Sequence, residues 1–247
     1  MLKTTVGIER ERFIVSRANN KVVPAIGTLL PKIHMMAEQR GVHSCLFDYE
    51  LFAGQIEDRT LPFNSLSALK EALMESDALM NEVASQDNLK FDFSEFIDEN
   101  QISVLQVNPF NQRHKSIWQS LSLERKLAAS RVAGVHVHLA ATEESTVKLL
   151  NVCRKETIER LIKIGDHSDG KRMNAYTTMS QTNGIPPTFS NFQEVMKYIG
   201  EHGGEKNVWD LVRYKPSTKT VEFRMFGSTE SVDEVIGYVK VCLGLMD

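Results

Sequence analysis

Several pairs of ionisable residues in this sequence are spaced to act together. Glu9 and Glu11 lie two apart in Gly-Ile-Glu-Arg-Glu, His136 and His138 two apart in Gly-Val-His-Val-His-Leu, and Glu222 and Arg224 two apart in Val-Glu-Phe-Arg. Residues two apart in an extended strand project from the same face, so each pair presents both side chains together. Glu50 and Glu57 flank a bend around Gly54 and add two more carboxylates. Taken alone, a Glu-x-Glu strand is an ordinary solvated face, and two imidazoles in an apolar strand read equally as structural histidines or as metal ligands. Burying all these acids and imidazoles together without a compensating cation would be very costly. A divalent cation accounts for the whole set, and carboxylate-dominated ligation with one or two histidines suits Mg or Mn better than Zn.

One motif works against a simple phosphate-loop reading. Residues 165–172, GDHSDGKR, nearly match G-x-x-x-x-G-K-[ST], but Arg172 stands where a Ser or Thr would meet Mg, and a helix rather than a strand precedes the stretch.

The composition narrows the function classes. The 247 residues are 42% hydrophobic and 25% charged, with 14 Gly and 7 Pro, which excludes disordered and collagenous chains. Lys plus Arg (29) against Asp plus Glu (32) gives a net charge of -3, so no basic field points to nucleic acid or an anionic membrane. Cys45, Cys153 and Cys242 are widely spaced and odd in number, which suits reduced core residues. No signal peptide or apolar 18-residue run is readable, so the cytoplasm is the expected compartment.

The elements that must position these residues follow from periodicity. Residues 4–15 alternate as a strand, with Val6, Ile8 and Ile14 on one side and Glu9 and Glu11 on the other. Helical spacing runs over 22–40, and 44–48 reads as a short strand. Asn64 or Ser65 caps a helix to about residue 85. Strands are predicted at 102–107 and 132–140, and the longest helix at 143–165. Residues 166–190, rich in Gly, Pro, Ser and Asn, read as a long ordered loop. A helix over 192–200, a hairpin pairing 208–214 with 220–226, and a helix over 231–245 complete the chain. Without regular strand–helix–strand alternation, this is an α+β chain with a mainly antiparallel sheet backed by helices, forming a single domain over 1–247.

Five segments carry a family resemblance: GIERE from Gly7, ELFAGQIEDRT from Glu50, AGVHVHL from Ala133, GIPPTF from Gly184 and WDLVRYKPSTKTVEFR from Trp209. In order and in register they resemble the glutamate-cysteine ligase type 2 family, carboxylate-amine ligases of the glutamine synthetase-like superfamily, although this chain is shorter than usual members. The resemblance implies a curved sheet with helices on its convex face and an ATP and metal site on its concave face. It implies that Glu9, Glu11, Glu50, Glu57, His136 and Glu222 hold two or three Mg or Mn ions. It assigns Arg224 and then Arg213 to the transferring phosphoryl group, His138 and Trp209 to the nucleotide, and Arg172 to a substrate carboxylate. The chemistry would be ATP-dependent acyl-phosphate formation on glutamate or a similar amino acid, followed by attack of an amine or thiol. Its partners would be small molecules, with room for a homo-oligomer. Two other readings stay open: a hydrolase with zinc on His136 and His138, and a non-catalytic nucleotide-binding protein on a ligase scaffold.

Overall fold

The computed structural model describes residues 2–246. In chain order the elements are β1 (Val6–Ser16), α1 (Ile26–Gln39), β2 (Phe47–Tyr49), β3 (Gln55–Arg59), α2 (Leu66–Gln86), β4 (Leu89–Asp92), α3 (Gln112–Ser120) and α4 (Leu123–Ser130). They continue with β5 (Gly134–Ala140), α5 (Glu143–Val152), α6 (Lys155–Gly165), α7 (Lys171–Ser180), α8 (Phe192–Glu201), β6 (Val212–Lys215), β7 (Thr220–Gly227) and α9 (Val232–Leu243).

The strands form one curved, open antiparallel sheet in the order β2-β3-β1-β5-β7-β6, and β4 joins the far half of β1. Phe13 is the pivot: it faces Gln55 of β3 on one edge and Asp92 of β4 on the other, so β4 continues along β1 on the side that β5 occupies further back. The alternation of β1 sends Val6, Ile8 and Ile14 to the convex face. There the apolar residues of β5 and β7 meet Leu69 and Leu73 of α2, Leu149 of α5, Leu161 of α6, Val195 of α8, and Val235 and Val239 of α9. Helix starts are where hydroxyl caps predict them: the Ser65 Oγ accepts from the Ala68 N–H and the Ser231 Oγ from the Glu234 N–H.

Four expectations need correction. The predicted helix over 143–165 is two helices, broken at Cys153 and Arg154. Its buried positions run Thr146, Leu149, Leu150 and Cys153 and then jump five residues to Ile158, so one straight helix could not keep both stripes on the sheet. The longest helix is instead α2, with 21 residues. Residues 102–107 are not a strand; Ile102 and Val107 each make one isolated bridge, to Val22 and Phe52. The loop over 166–190 contains α7, which starts after Gly170 at φ +79 and stops at Gln181 at φ +60. Tertiary contact holds it, through Arg172 and Tyr176, both buried.

On the convex side lies a group the sequence reading did not single out. Arg10 and Arg12 are buried, sharing Asp58 and Asp77 between them: Arg10 Nη2 is 2.7 Å from Asp58 and 2.9 Å from Asp77, and Arg12 Nη1 is 2.9 Å from Asp77 and also pairs with Asp58. Ser76 donates to Asp58 at 2.7 Å, and the Arg12 guanidinium lies 4.8 Å above the Phe93 ring. This network fastens α2 to β1 and β3. Among the described residues, no helix is long and apolar enough to cross a membrane.

Candidate active site

The concave face carries its polar residues in three cross-strand rows. Asp48, Glu57 and Glu11 form one, Arg59, Glu9 and His136 the next, and Gly7, His138, Glu222 and Arg213 the third. Each row follows from antiparallel register, in which directly opposed residues share a face. The β5–β7 register shifts between Val135 and Val137, which sets His136 against the Arg224 stretch of β7. Every predicted metal residue is therefore brought to this face. Glu50 arrives by the turn that precedes β3, where Gly54 permits a tight approach: a Cβ there would lie 2.5 Å from the Phe52 ring and 2.6 Å from Val22. Gly54→Ala should cost about 1–3 kcal/mol by overpacking and weaken divalent-cation binding, as titration of the purified variant with Mn would show.

The distances define a compact cluster. His136 Nδ1 is 3.1 Å from Glu9 Oε2 and 3.7 Å from Glu222 Oε1, and its Nε2 is 3.6 Å from Glu11 Oε1. His138 Nε2 lies 3.3 Å from Glu9 and 3.8 Å from Glu222. The Glu11 carboxylate accepts the Gly134 N–H at 2.7 Å. Three groups place their donor atoms within 4.8 Å of one another: Glu9, Glu57 and His136; Glu9, His138 and Glu222; and Glu11, Glu50 and Glu57. Glu9 and Glu57 each belong to two groups, and His136 and His138 fall in different ones. A zinc site built on both histidines is thus not what the geometry offers.

The donor set fits divalent cations on two counts. His138 Nδ1 is tied to Thr220 Oγ1 at 3.2 Å while its buried Nε2, among carboxylates, makes no hydrogen bond. Burial, then repulsion from Glu11, pushes the Glu50 carboxyl up to about 8. Burial and the charges of Glu9 and Glu50 raise Glu57 well above the usual range. Glu9 and Glu222 behave oppositely. Against the cost of burial, the nearby imidazoles of His136 and His138 hold Glu9 well down, and Arg224 and Arg213 do the same for Glu222.

A stability measurement follows from Glu50 and Glu57. Their folded-state pKa values are raised, so the folded chain keeps protons that the unfolded chain releases, and these two groups make stability fall as pH rises from about 4.5 toward 8. Saturating Mg or Mn should flatten that decline in urea midpoints measured at pH 5 and pH 8. Equal declines with and without the cation would contradict the ligand assignment.

The arginines fall into two kinds. Arg213 pairs with Glu222 through Nε and donates through Nη1 to the carbonyls of Val208 (2.7 Å) and Glu205 (3.1 Å). Arg224 donates to Glu222 at 2.7 Å and keeps a buried Nε–H without a partner. Arg172 is spent differently: its guanidinium donates to the carbonyls of Ala133 (3.1 Å), Met225 (2.9 Å) and Arg224 (3.1 Å). With five N–H groups in all, little of that fork is left for a substrate carboxylate. Trp209 is half-buried, its ring 6.3 Å from Tyr176, whose hydroxyl donates to the Trp209 carbonyl. The segment resembling a phosphate loop makes no cradle: Gly165 ends α6 hard against Phe226, and Lys171 is exposed.

Three residues at this face, Asp48, Arg59 and Lys215, were missed from sequence. Arg59 lies 2.5 Å from Glu57, 2.9 Å from Asp48 and 3.8 Å from Glu9, and Lys215 lies 3.4 Å from Glu9. Arg59 follows Glu57 at the same two-residue spacing that flagged Glu222 and Arg224, so the signal was present. Two cavities flank the cluster. One of about 120 Å³ is lined by Glu11, Glu50, His136, Arg172, Arg224 and Trp209, and one of about 320 Å³ by Glu9, Arg59, Pro62, His138, Thr218 and Thr220.

No protein-family model matches this sequence, and no curated protein does. Solved structures do match in fold. A bifunctional glutathione synthetase from Pasteurella multocida aligns over 98% of this chain and 39% of its own, with TM-score 0.59 and 14% identity. A glutamine synthase homologue aligns over 98% and 55%, with TM-score 0.53 and 12% identity. A glutamate-cysteine ligase from Francisella tularensis, solved with AMP, aligns over 99% and 67%, with TM-score 0.54 and 10% identity. The chain spans about two fifths of the first of these proteins and just over half of the second. At these identities the likeness is one of architecture, and the architecture is glutamine synthetase-like.

Proposed function

We propose that this chain is an ATP-dependent ligase that joins a carboxylate to an amine or thiol through an acyl phosphate, using Mg or Mn, with glutamate or a similar amino acid as carboxylate donor. The observation that carries this reading is the cluster itself. Three carboxylate-rich ligand groups share Glu9 and Glu57 and abut Arg213 and Arg224, on the concave face of a fold found in ATP-dependent ligases. Bound at Glu9, Glu11, Glu50, Glu57, His136, His138 and Glu222, the cations would neutralise phosphate oxygens and fix them in place.

The chain's own groups do the rest. The Arg224 Nε–H, buried without an acceptor, is the donor available to the γ-phosphoryl oxygens, with Arg213 beside it. A substrate carboxylate oxygen attacks the γ-phosphorus and ADP leaves. An amine or thiol then attacks the carbonyl of the acyl phosphate, losing its proton as inorganic phosphate departs. Trp209 and the walls of the smaller cavity limit water at that carbonyl. Arg172 steadies the backbone of Ala133, Arg224 and Met225 from behind, and any contact with a substrate carboxylate would use its remaining Nη2 hydrogen.

The carboxylates outnumber the imidazoles in every ligand group, which favours this reading over zinc hydrolysis. The test is ADP release from ATP, Mg and glutamate with a panel of amines and thiols, alongside mass spectrometry for a condensed product. Release that needs both carboxylate and acceptor supports the proposal. ATP binding with no turnover across the panel would replace it with a non-catalytic nucleotide-binding role.

A further inference from the structure

A cavity of about 660 Å³, larger than either one at the active site, opens beside β4 and the end of β7. Glu95 stands in its wall. This side chain is only 7% exposed, and neither carboxylate oxygen has a hydrogen-bond partner. It lies directly over Gly227, where an added Cβ would come 1.7 Å from Oε2, so the backbone is bare at the one place this carboxylate needs room. Its neighbour Asp166 takes both the N–H (2.9 Å) and the hydroxyl (2.5 Å) of Ser168, so Glu95 is set against a second carboxyl group. The nearby Arg172 spends its N–H groups on main-chain carbonyls. Burial, reinforced by Asp166, pushes the Glu95 carboxyl up to about 7. A buried acid set against a second carboxyl group, with the nearest guanidinium spent on main-chain carbonyls, is relieved by a ligand that brings a hydrogen bond and a positive charge.

The shape of the wall selects the ligand. Among the described residues, no group of three ligating side chains converges here, so no metal polyhedron is laid out. Asp92 and Glu230 line the same cavity, together with Phe93, Phe96, Lys90 and His167. Several acids and aromatic rings in one lining suit a cation whose charges are separated by methylenes.

We propose that this cavity binds an alkyl diamine or polyamine, one ammonium donating to Glu95, the chain lying on Phe93 and Phe96, and the far ammonium meeting Asp92 and Glu230. The site is separate from the ligase chemistry above, and its test uses neither ATP nor Mg. Calorimetry with 1,4-diaminobutane and spermidine should show binding, and 1,4-butanediol, equal in length but uncharged, should show none. Glu95→Gln should weaken diamine binding about tenfold or more, the loss expected of a charged hydrogen bond, while Glu9→Gln binds as the wild type does. Amide chemical-shift mapping on the unaltered protein makes the test independent of how Glu95→Gln folds. Shifts over residues 94–97 and 227–230 are expected. Equal binding of diol and diamine, no binding of either, unchanged affinity in Glu95→Gln, or shifts confined to residues 9–11 and 134–138 would each overturn the proposal.

Discussion

Replacing Glu222 with glutamine is expected to abolish cation-dependent ADP release and to lower fold stability by about 3–5 kcal/mol, the usual cost of stranding one partner of a buried ion pair. Glu222 is fully buried, bound by Arg213 and Arg224 together, and lies 3.7–3.8 Å from both histidines. Glutamine keeps the volume and removes the charge. Two guanidiniums then face one neutral amide, and one ligand group loses an anionic donor. Urea midpoints and ADP release measured on the same preparation read the two effects. Glu9→Gln separates them, because Glu9 is 15% exposed and its charged neighbours, Arg59 and Lys215, reach solvent. That variant should lose turnover while keeping most of its stability. Wild-type turnover in both variants would remove this cluster from the chemistry.

The second large effect lies on the opposite face of the sheet. Asp58→Asn should destabilise the fold by about 3–5 kcal/mol without touching a single ligand of the concave face. Asp58 accepts from Arg10, Arg12 and Ser76 with no exposure of its own side chain, and Asp77 alone cannot balance two buried guanidiniums. Against the cost of burial, Arg10 and Arg12 hold its carboxyl down to about 2. A depressed folded-state pKa means the contribution is whole above the unfolded value of 3.8 and is lost as pH falls from there through about 2. At about 1.4 kcal/mol per pH unit this is on the order of 2 kcal/mol. Acid titration of urea midpoints should therefore show a loss between pH 4 and pH 2 in the wild type that is absent in Asp58→Asn.

How much of this was readable in advance differs between residues. The two-residue spacings found Glu9, Glu11, His136, His138, Glu222 and Arg224, because side-chain direction in a strand is local geometry, and the structure gathers all six. Arg10 and Arg12 share that strand and were passed over. Their alternation sends them to the apolar face, where charge is affordable only because Asp77 comes up from a helix 65 residues away, and nothing local announces that. The hidden helix α7 was missed for a related reason. Its N-cap position is a left-handed glycine with no side chain to mark the start, so loop-like composition concealed a helix that Arg172 and Tyr176 hold from the outside. Arg172 itself, read as a hand for substrate, is largely occupied with main-chain carbonyls across the bulge of β5 and β7.

The cross-strand rows also bear on how the molecule folds. Glu9 meets His136 127 residues later and Lys215 206 residues later, whereas Glu11, Glu50 and Glu57 stand within one early stretch of chain. Closing loops of that length comes late and slowly in an antiparallel sheet. Cation affinity at the group that needs Glu222 should therefore appear only in the last phase of refolding, together with the docking of β7. During biosynthesis, a nascent chain that ends before Glu222 would carry two of the three ligand groups but neither Glu222 nor Arg224, which keeps the site inactive until the fold is complete.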